Sequence, residues 1–319
     1  MTTALEESLL RKIKVLNELL WETRCEEPVI QSWKSNFTGE VLTEAQEQLH
    51  ALYLLSHLTY FGLREVRELL KCMYRDFVRG PIIREIRAHN SGFRTVDDYA
   101  APLATELLGT RFLGMGNPAE SGTHLLYYFR QEAELSKKLF VHEHQLFTGD
   151  ILNPKTTLHD PNLRRIVFID DICGSGQQSV EYSKTLLPQI KTVASRSGQT
   201  IELVYLVLFG TTAGMHNART NSAFDRVECA GEMDTSFLTY SSNSRVFATA
   251  PIEVPMIDSM AISQHYGAKI EPAQPLGYGN GQLLMAFHHN IPDNTLPILW
   301  SDGGTPPWKA LLKRAHKIY

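Results

Sequence analysis

Apolar residues recur at three- and four-residue spacing along the first third of the chain and then give way to short unbroken apolar runs separated by turn residues. Leu5, Leu9, Ile13, Leu16 and Leu20 share one helical face, with charged residues opposite. Thr43-Glu44-Ala45-Gln46 reads as a capping box, in which the Thr hydroxyl and the Gln side chain satisfy N–H groups that the first helical turn leaves over. The run after it carries Leu49, Leu52, Leu55 and Leu58. A further helix holds Val66, Leu69, Met73 and Phe77 and is expected to end at Gly80-Pro81, because proline lacks the N–H that would continue it. Thr95 with Asp98 opens another stretch, to Leu108. The expectation is a helical region over 1–110 that packs on the rest of the chain or binds a partner.

Beyond residue 110 the order is strand, loop, helix, repeated. Residues 111–115 form a short strand candidate, followed by a loop over 116–123 and a helix from about Leu125. Leu139-Phe140-Val141 is a second candidate strand. Ile166-Val167-Phe168-Ile169 is a third, leading into Asp170-Asp171 and a helix over 178–194; residues 201–209 are a fourth. Apolar strands without strict alternation, separated by helices, predict a parallel sheet covered on both faces, hence an α/β domain over 111–319. After residue 225 the elements are shorter, and 275–300 is dense in Gly, Asn and Pro.

The chemistry concentrates after the third strand. Two carboxylates there are followed by Gly174-Ser175-Gly176 and a helix start. The C-terminal edge of a parallel sheet is where ligands bind in open α/β folds. Two glycines let backbone approach an anion, and a helix N-terminus points its unpaired N–H groups at it. Asp170 and Asp171 would repel a bare phosphate, so they are expected to face ribose hydroxyls or a magnesium ion, which makes the ligand a sugar phosphate. An apolar strand ending in two acids also occurs in P-loop ATPases, but the chain has no Gly-x-x-x-x-Gly-Lys-[Ser/Thr] loop, and it has no Gly-x-Gly-x-x-Gly.

Residues 166–179 resemble the signature loop of type I phosphoribosyltransferases: an apolar strand, two acids, two variable residues, then a Thr/Gly-rich turn. The resemblance implies a parallel-sheet phosphoribosyltransferase-like core with an N-terminal helical region. It gives Asp170 and Asp171 the ribose hydroxyls and, through magnesium, a metal. It gives Gly174, Ser175, Gly176, Gln177 and Gln178 the 5′-phosphate. Gly174 stands where that family has a hydroxyl residue, Gln177 where it has a glycine and Gln178 where it has a threonine. The family's diphosphate loop lies one strand-and-helix unit earlier, which points to Asn117, Ser121, Gly122 and Thr123. Its mobile loop corresponds to the polar residues 143–163. Together with His-Asn-x-Pro-x-Asn-Thr-Leu-Pro over 289–297, the variant loop is similar to a phosphoribosyltransferase-like effector branch of bacterial conflict and anti-phage systems. That likeness implies a toxic effector acting on nucleotide metabolism, with a defence partner such as a retron reverse transcriptase complex. If the segment from about 225 to 319 covers the sugar, Asn290, Asn294 and Trp300 become acceptor-recognition candidates.

Composition narrows the picture little. The 319 residues are 43% hydrophobic and 21% charged, which fits a folded globular chain and excludes global disorder. A formal net charge of -4 gives no reason to expect strong direct nucleic-acid or anionic-membrane binding. The first twenty residues mix acidic, basic and apolar positions, unlike a signal peptide, and no apolar stretch is long enough to span a bilayer. Cys25, Cys72, Cys173 and Cys229 form no Cys-x-x-Cys pair, the usage of a reduced cytoplasmic protein. His142 and His144 share a strand face without a third ligand at metal spacing, and Cys173 is read as a small apolar filler. Arg75, Arg79, Arg84, Arg87 and Arg94 are interspersed with Asp76 and Glu85, a mixed solvated face.

Two functional classes follow. One is an enzyme, a phosphoribosyltransferase or nucleotide glycohydrolase, taking phosphoribosyl pyrophosphate or a nucleotide with magnesium. The other is a catalytically altered regulator that senses a nucleotide in the same pocket and grips a partner; toxicity that emerges only on release by a partner is a third possibility.

Overall fold

Thr3 accepts a hydrogen bond from the Glu6 N–H and caps helix α1 (Ala4–Leu19) in the computed structural model, which describes residues 3–90, 92, 95–116, 121–151, 153 and 155–314. The helix buries Leu9 and Ile13, with Leu5 and Leu16 packed beside them. Leu20 does not continue that face: it is the C-cap residue and is half exposed, because the helix stops there. Helix α2 (Glu27–Lys34) is followed by α3 (Glu44–Leu55), whose N-terminus carries the expected capping box from Thr43 and Gln46. Strand β1 (Thr59–Phe61) comes next.

The helix expected to end at Gly80-Pro81 does not end there. Helix α4 (Leu63–Met73) passes through a π-helical turn (Tyr74–Arg79) into α5 (Gly80–His89). The Gly80 N–H reaches back to the Arg75 carbonyl, so Pro81 falls where the hydrogen-bond register resets and its missing N–H costs little. Helix α6 (Val96–Leu108) then leads to strand β2 (Thr110–Gly114).

After β2 come α7 (Ser121–Glu132), β3 (Arg165–Cys173), α8 (Gln177–Arg196), β4 (Glu202–Thr211), α9 (Thr212–Asn221) and β5 (Arg226–Met233). The sheet order is β2-β3-β4-β5, with β2, β3 and β4 parallel. This is the α/β architecture with a parallel sheet that the pattern predicts. Leu139-Phe140-Val141 is not a strand; a 3-10 turn (Lys137–Leu139) leaves a single parallel bridge from Phe140 to Phe112. Ile166 through Ile169 are fully buried, as are Leu203 through Leu208, which is why these strands read as unbroken apolar runs. At the N-terminal end of the sheet the Arg165 guanidinium bonds Glu202 and Glu85, and Arg226 bonds Glu202 and the Phe77 carbonyl.

The remainder is α10 (Met256–Ile270), β6 (Met285–Phe287) and the single turn α11 (Pro297–Trp300). The compact units do not follow a boundary at residue 110. One comprises Met1–Val66 with Met233–Tyr319, the other Arg67–Glu232. The first unit joins the two ends of the chain: β1 pairs in parallel with β6, and the indoles of Trp33 and Trp308 both donate to the Ile298 carbonyl. Trp33, Phe37, Tyr266 and Trp308 pack ring against ring, mostly edge to face, at 5.2 to 5.5 Å. Beside them the buried Glu47 carboxylate accepts from the Tyr266 hydroxyl and from the N–H groups of Gly39, Val41 and Leu42. Burial pushes its pKa up, but these four donors outweigh burial and hold it below the usual value. No described helix is long and apolar enough to cross a membrane.

Candidate functional site

The two acids lie deeper than the sequence suggests. β3 continues through both of them to Cys173, pairing Ile172 with Phe209 and Cys173 with Gly210, so the carboxylates sit inside the strand rather than beyond its end. Asp170 is 6% and Asp171 3% exposed. The Asp170 carboxylate accepts from the Asp171 N–H at 2.9 Å and from the Tyr205 hydroxyl at 3.2 Å. Burial, and then the neighbouring Asp171 charge, raise its pKa well above the carboxylate norm. No described Lys, Arg or His forms an ion pair with Asp170.

After Cys173 the chain turns on Gly176, which takes a left-handed conformation (φ 72°) and is the N-cap residue of α8. The turn is tied by its carbonyls. The Thr211 hydroxyl donates to Gly174 O at 2.5 Å, the Asn217 amide to Ser175 O at 2.9 Å, and the Ser179 hydroxyl to Gly176 O at 2.8 Å. α9 lies directly against it: a Cβ at Gly176 would strike the Gly214 carbonyl oxygen, and one at Gly214 the Gly174 carbonyl. Only glycine at both positions permits that approach. Ser175 Oγ accepts from the Gln177 N–H at 3.3 Å, and the Gln177 amide is drawn along the helix to Glu181. Both Gln177 and Gln178 are exposed. The carbonyls of Gly174, Ser175 and Gly176 are thus all engaged, in a turn that leads directly into the N-terminus of α8.

The start of α7 reaches the same edge. Gly122 sits so close to β2 and β3 that a Cβ would strike Ile169 O and Met115 N, one residue before the acids. Asn117 lies outside the described residues, as do the side chains of Ser121 and Thr123. The structure thus brings the backbone of Gly122, the acids and the 174–178 turn to one sheet edge. The acceptor candidates Asn290, Asn294 and Trp300 belong to the other compact unit. There Asn294 is buried and donates to Tyr278 O, and the Trp300 indole donates to Thr295 O under the Arg314 guanidinium. The backbone carbonyl of Asn290 accepts from the Phe287 N–H. Asn294 and Trp300 hold their own loop together.

Sequence reasoning missed Thr211, Gly214, Asn217 and Tyr205. Thr211-Thr212-Ala213-Gly214 carries a readable helix-start signal, a hydroxyl three residues before a glycine, but nothing in it announces contact with a loop about forty residues earlier. The Cys173 thiol is buried and pushed up to about 12, first by burial and then by the Asp170 charge, so it is a filler and no nucleophile. His142 and His144 stack on one another at 5.8 Å, and among the described residues no cluster of three or more His, Cys, Asp or Glu is placed to hold a metal.

A cavity of about 830 Å³ opens at the opposite, N-terminal edge of the sheet, between Glu85, Glu106, Arg164, Arg165 and Gln199. Its two arginines are already paired, Arg165 with Glu85 and Arg164 with Glu106, so its size does not make it a ready anion site.

The sequence model of the PRTase-CE family matches residues 30–314. No curated protein matches the chain. Among solved structures the chain is similar to orotate phosphoribosyltransferase from Aeropyrum pernix, at 18% identity over 43% of this chain and 72% of that one, with a TM-score of 0.22. It is also similar to adenine phosphoribosyl transferase from Trypanosoma brucei in complex with AMP, pyrophosphate and ribose-5-phosphate, at 12% identity over 66% of this chain and 80% of that one, with a TM-score of 0.26.

Proposed function

The chain belongs to the PRTase-CE family, a phosphoribosyltransferase-like family, and from that premise we propose that it binds phosphoribosyl pyrophosphate or a nucleotide at the 170–178 edge and transfers or hydrolyses the ribosyl group. The observation that carries this reading is the order along one strand end: two carboxyls, then a left-handed glycine turn, then a helix N-terminus. The turn and the α8 N-terminus take the 5′-phosphate, while Gly122 and its neighbours, with Asn117, Ser121 and Thr123, take a diphosphate. Asp170 and Asp171 take the ribose hydroxyls.

When the bond from the anomeric carbon breaks, its electron pair leaves with the diphosphate or base and the ribosyl carbon becomes positive. The Asp170–Asp171 pair beside the ribose stabilises that charge, Asp170 by giving up the proton that burial makes it hold in the ligand-free protein. A base as acceptor makes the reaction a transfer, and water makes it a glycohydrolysis. Hard carboxylate oxygens, with no described cation paired to Asp170, are donors of the kind magnesium takes, so the pair fits a magnesium that arrives with the ligand and neutralises its phosphates. The reading extends to a cytoplasmic effector of bacterial anti-phage defence, toxic through nucleotide metabolism and held by a partner such as a retron reverse transcriptase complex.

Calorimetry with phosphoribosyl pyrophosphate and magnesium is the test. Wild type should bind and Asp171→Ala should not; absence of wild-type binding, or equal binding by the variant, refutes it. The burial of both acids favours a second reading, a sensor that binds the same ligand without turnover. Release of free base or diphosphate by the purified protein would exclude that reading.

A further inference from the structure

We propose that Thr211 and Asn217 are positioning residues that aim the phosphate turn, an inference that rests on the anion-binding role proposed for that turn. In a trans peptide the C=O of one residue and the N–H of the next point in opposite directions. Thr211 holds the Gly174 carbonyl toward α9, which turns the Ser175 N–H away from α9. Asn217 holds the Ser175 carbonyl the same way, which turns the Gly176 N–H outward as well. Two consecutive N–H groups facing one side are the geometry of an anion nest.

The clamp is fixed at its far end too. Asn221 donates its amide N–H to the Asn217 side-chain oxygen at 2.8 Å, so the Asn217 amide is left with its nitrogen toward Ser175 O. Thr211 is oriented by the Gly214 N–H, which donates to its hydroxyl oxygen at 2.9 Å and leaves its proton for Gly174 O. The matched glycines Gly176 and Gly214 set the spacing at which both side chains reach. Neither Thr211 nor Asn217 needs to touch the ligand. They act through the turn.

Asn217→Asp separates aiming from folding. The carboxylate keeps the size and still accepts from Asn221, but it has no proton for Ser175 O and sets a negative charge against that carbonyl. Calorimetry with ribose 5-phosphate should show Asn217→Asp and Thr211→Val each weakened about tenfold or more, the loss of one charge-assisted hydrogen bond. Thr211→Ser, which keeps the hydroxyl, should bind within about threefold of wild type, well inside the value of one such bond. Hydrogen exchange of the ligand-free protein supplies the readout that helix stability alone would not move. The peptide covering 173–177 should exchange faster in Asn217→Asp, while the peptides of β4 keep their protection.

If wild type binds ribose 5-phosphate and both variants bind it equally well, the clamp is overturned and the site reading stands. If exchange over 173–177 is unchanged in Asn217→Asp, the clamp is likewise overturned. Failure of wild type to bind ribose 5-phosphate overturns the site reading and the clamp with it.

Discussion

Gly176→Ala tests the turn most directly, because a second glycine supplies the control. Gly176 and Gly198 have nearly the same left-handed backbone, φ 72° and 68°. Any L-residue at either pays a conformational cost of about 1–2 kcal/mol. Their surroundings differ completely: a Cβ at Gly198 meets nothing within 4 Å, whereas one at Gly176 strikes the Gly214 carbonyl and crowds Asn217 and Ala218. Gly198→Ala should therefore lose only the shared term, a fall of a few degrees in melting temperature for a unit of this size. Gly176→Ala must in addition push the turn off α9. Displacing one charge-assisted N–H···phosphate bond, worth about 1.5–3 kcal/mol, predicts roughly 10- to 150-fold weaker binding of ribose 5-phosphate. Calorimetry and thermal melts on both variants decide it. Gly176→Ala binding as wild type does, or Gly198→Ala losing affinity to the same extent, would refute the reasoning.

Asp170→Asn should stabilise the fold. The Asp170 carboxyl has a raised pKa in the folded protein, so the folded state holds its proton more tightly than the unfolded chain. That contribution is complete below the unfolded value, near about 4, and is lost as pH rises through the raised folded value. The uncharged isostere keeps its oxygen for the Asp171 N–H and turns its amide N–H toward the Tyr205 oxygen, so its melting temperature should exceed that of wild type at pH 8 by more than at pH 4; a lower value at pH 8 contradicts the assignment. Glu202→Ala leaves the buried Arg165 with Glu85 alone and Arg226 with a single carbonyl, where Arg165 Nη1 and Arg226 Nη2 already have no partner. Urea unfolding should show a loss of about 3 kcal/mol, and a loss under about 1 kcal/mol would remove the network from the account. A thiol reagent at pH 7.5 should label Cys72 or Cys229 before Cys173, whose thiol is buried with a pKa of about 12; first labelling at Cys173 would show that the acid pair is open to solvent.

Much of the sheet was legible because a parallel strand buried on both faces must be apolar at every position, and Ile166 through Ile169 and residues 203–208 are. The Thr43 capping box was legible for a similar reason: its partners lie within one turn. Leu139-Phe140-Val141 misled because a short apolar run also serves a chain that touches an edge strand at one residue. Gly80-Pro81 misled because a π turn absorbs the proline, and the residues that allow the turn carry no local mark.

The sequence by itself determined the strand, the two acids and the glycine turn, since each follows from neighbours along the chain. Tertiary structure decided everything that depends on distant segments meeting. It buried Asp170 and Asp171 within β3, because β4 pairs as far as Gly210 and carries the strand past them. It set Thr211 and Asn217 on the carbonyls of Gly174 and Ser175, about forty residues away in the chain. It also joined both chain ends in one unit through β1, β6 and the Ile298 carbonyl, where the change of pattern at residue 110 suggested a boundary. Spacing along a chain records which face a residue must bury; it does not record which remote backbone will need its hydrogen bond.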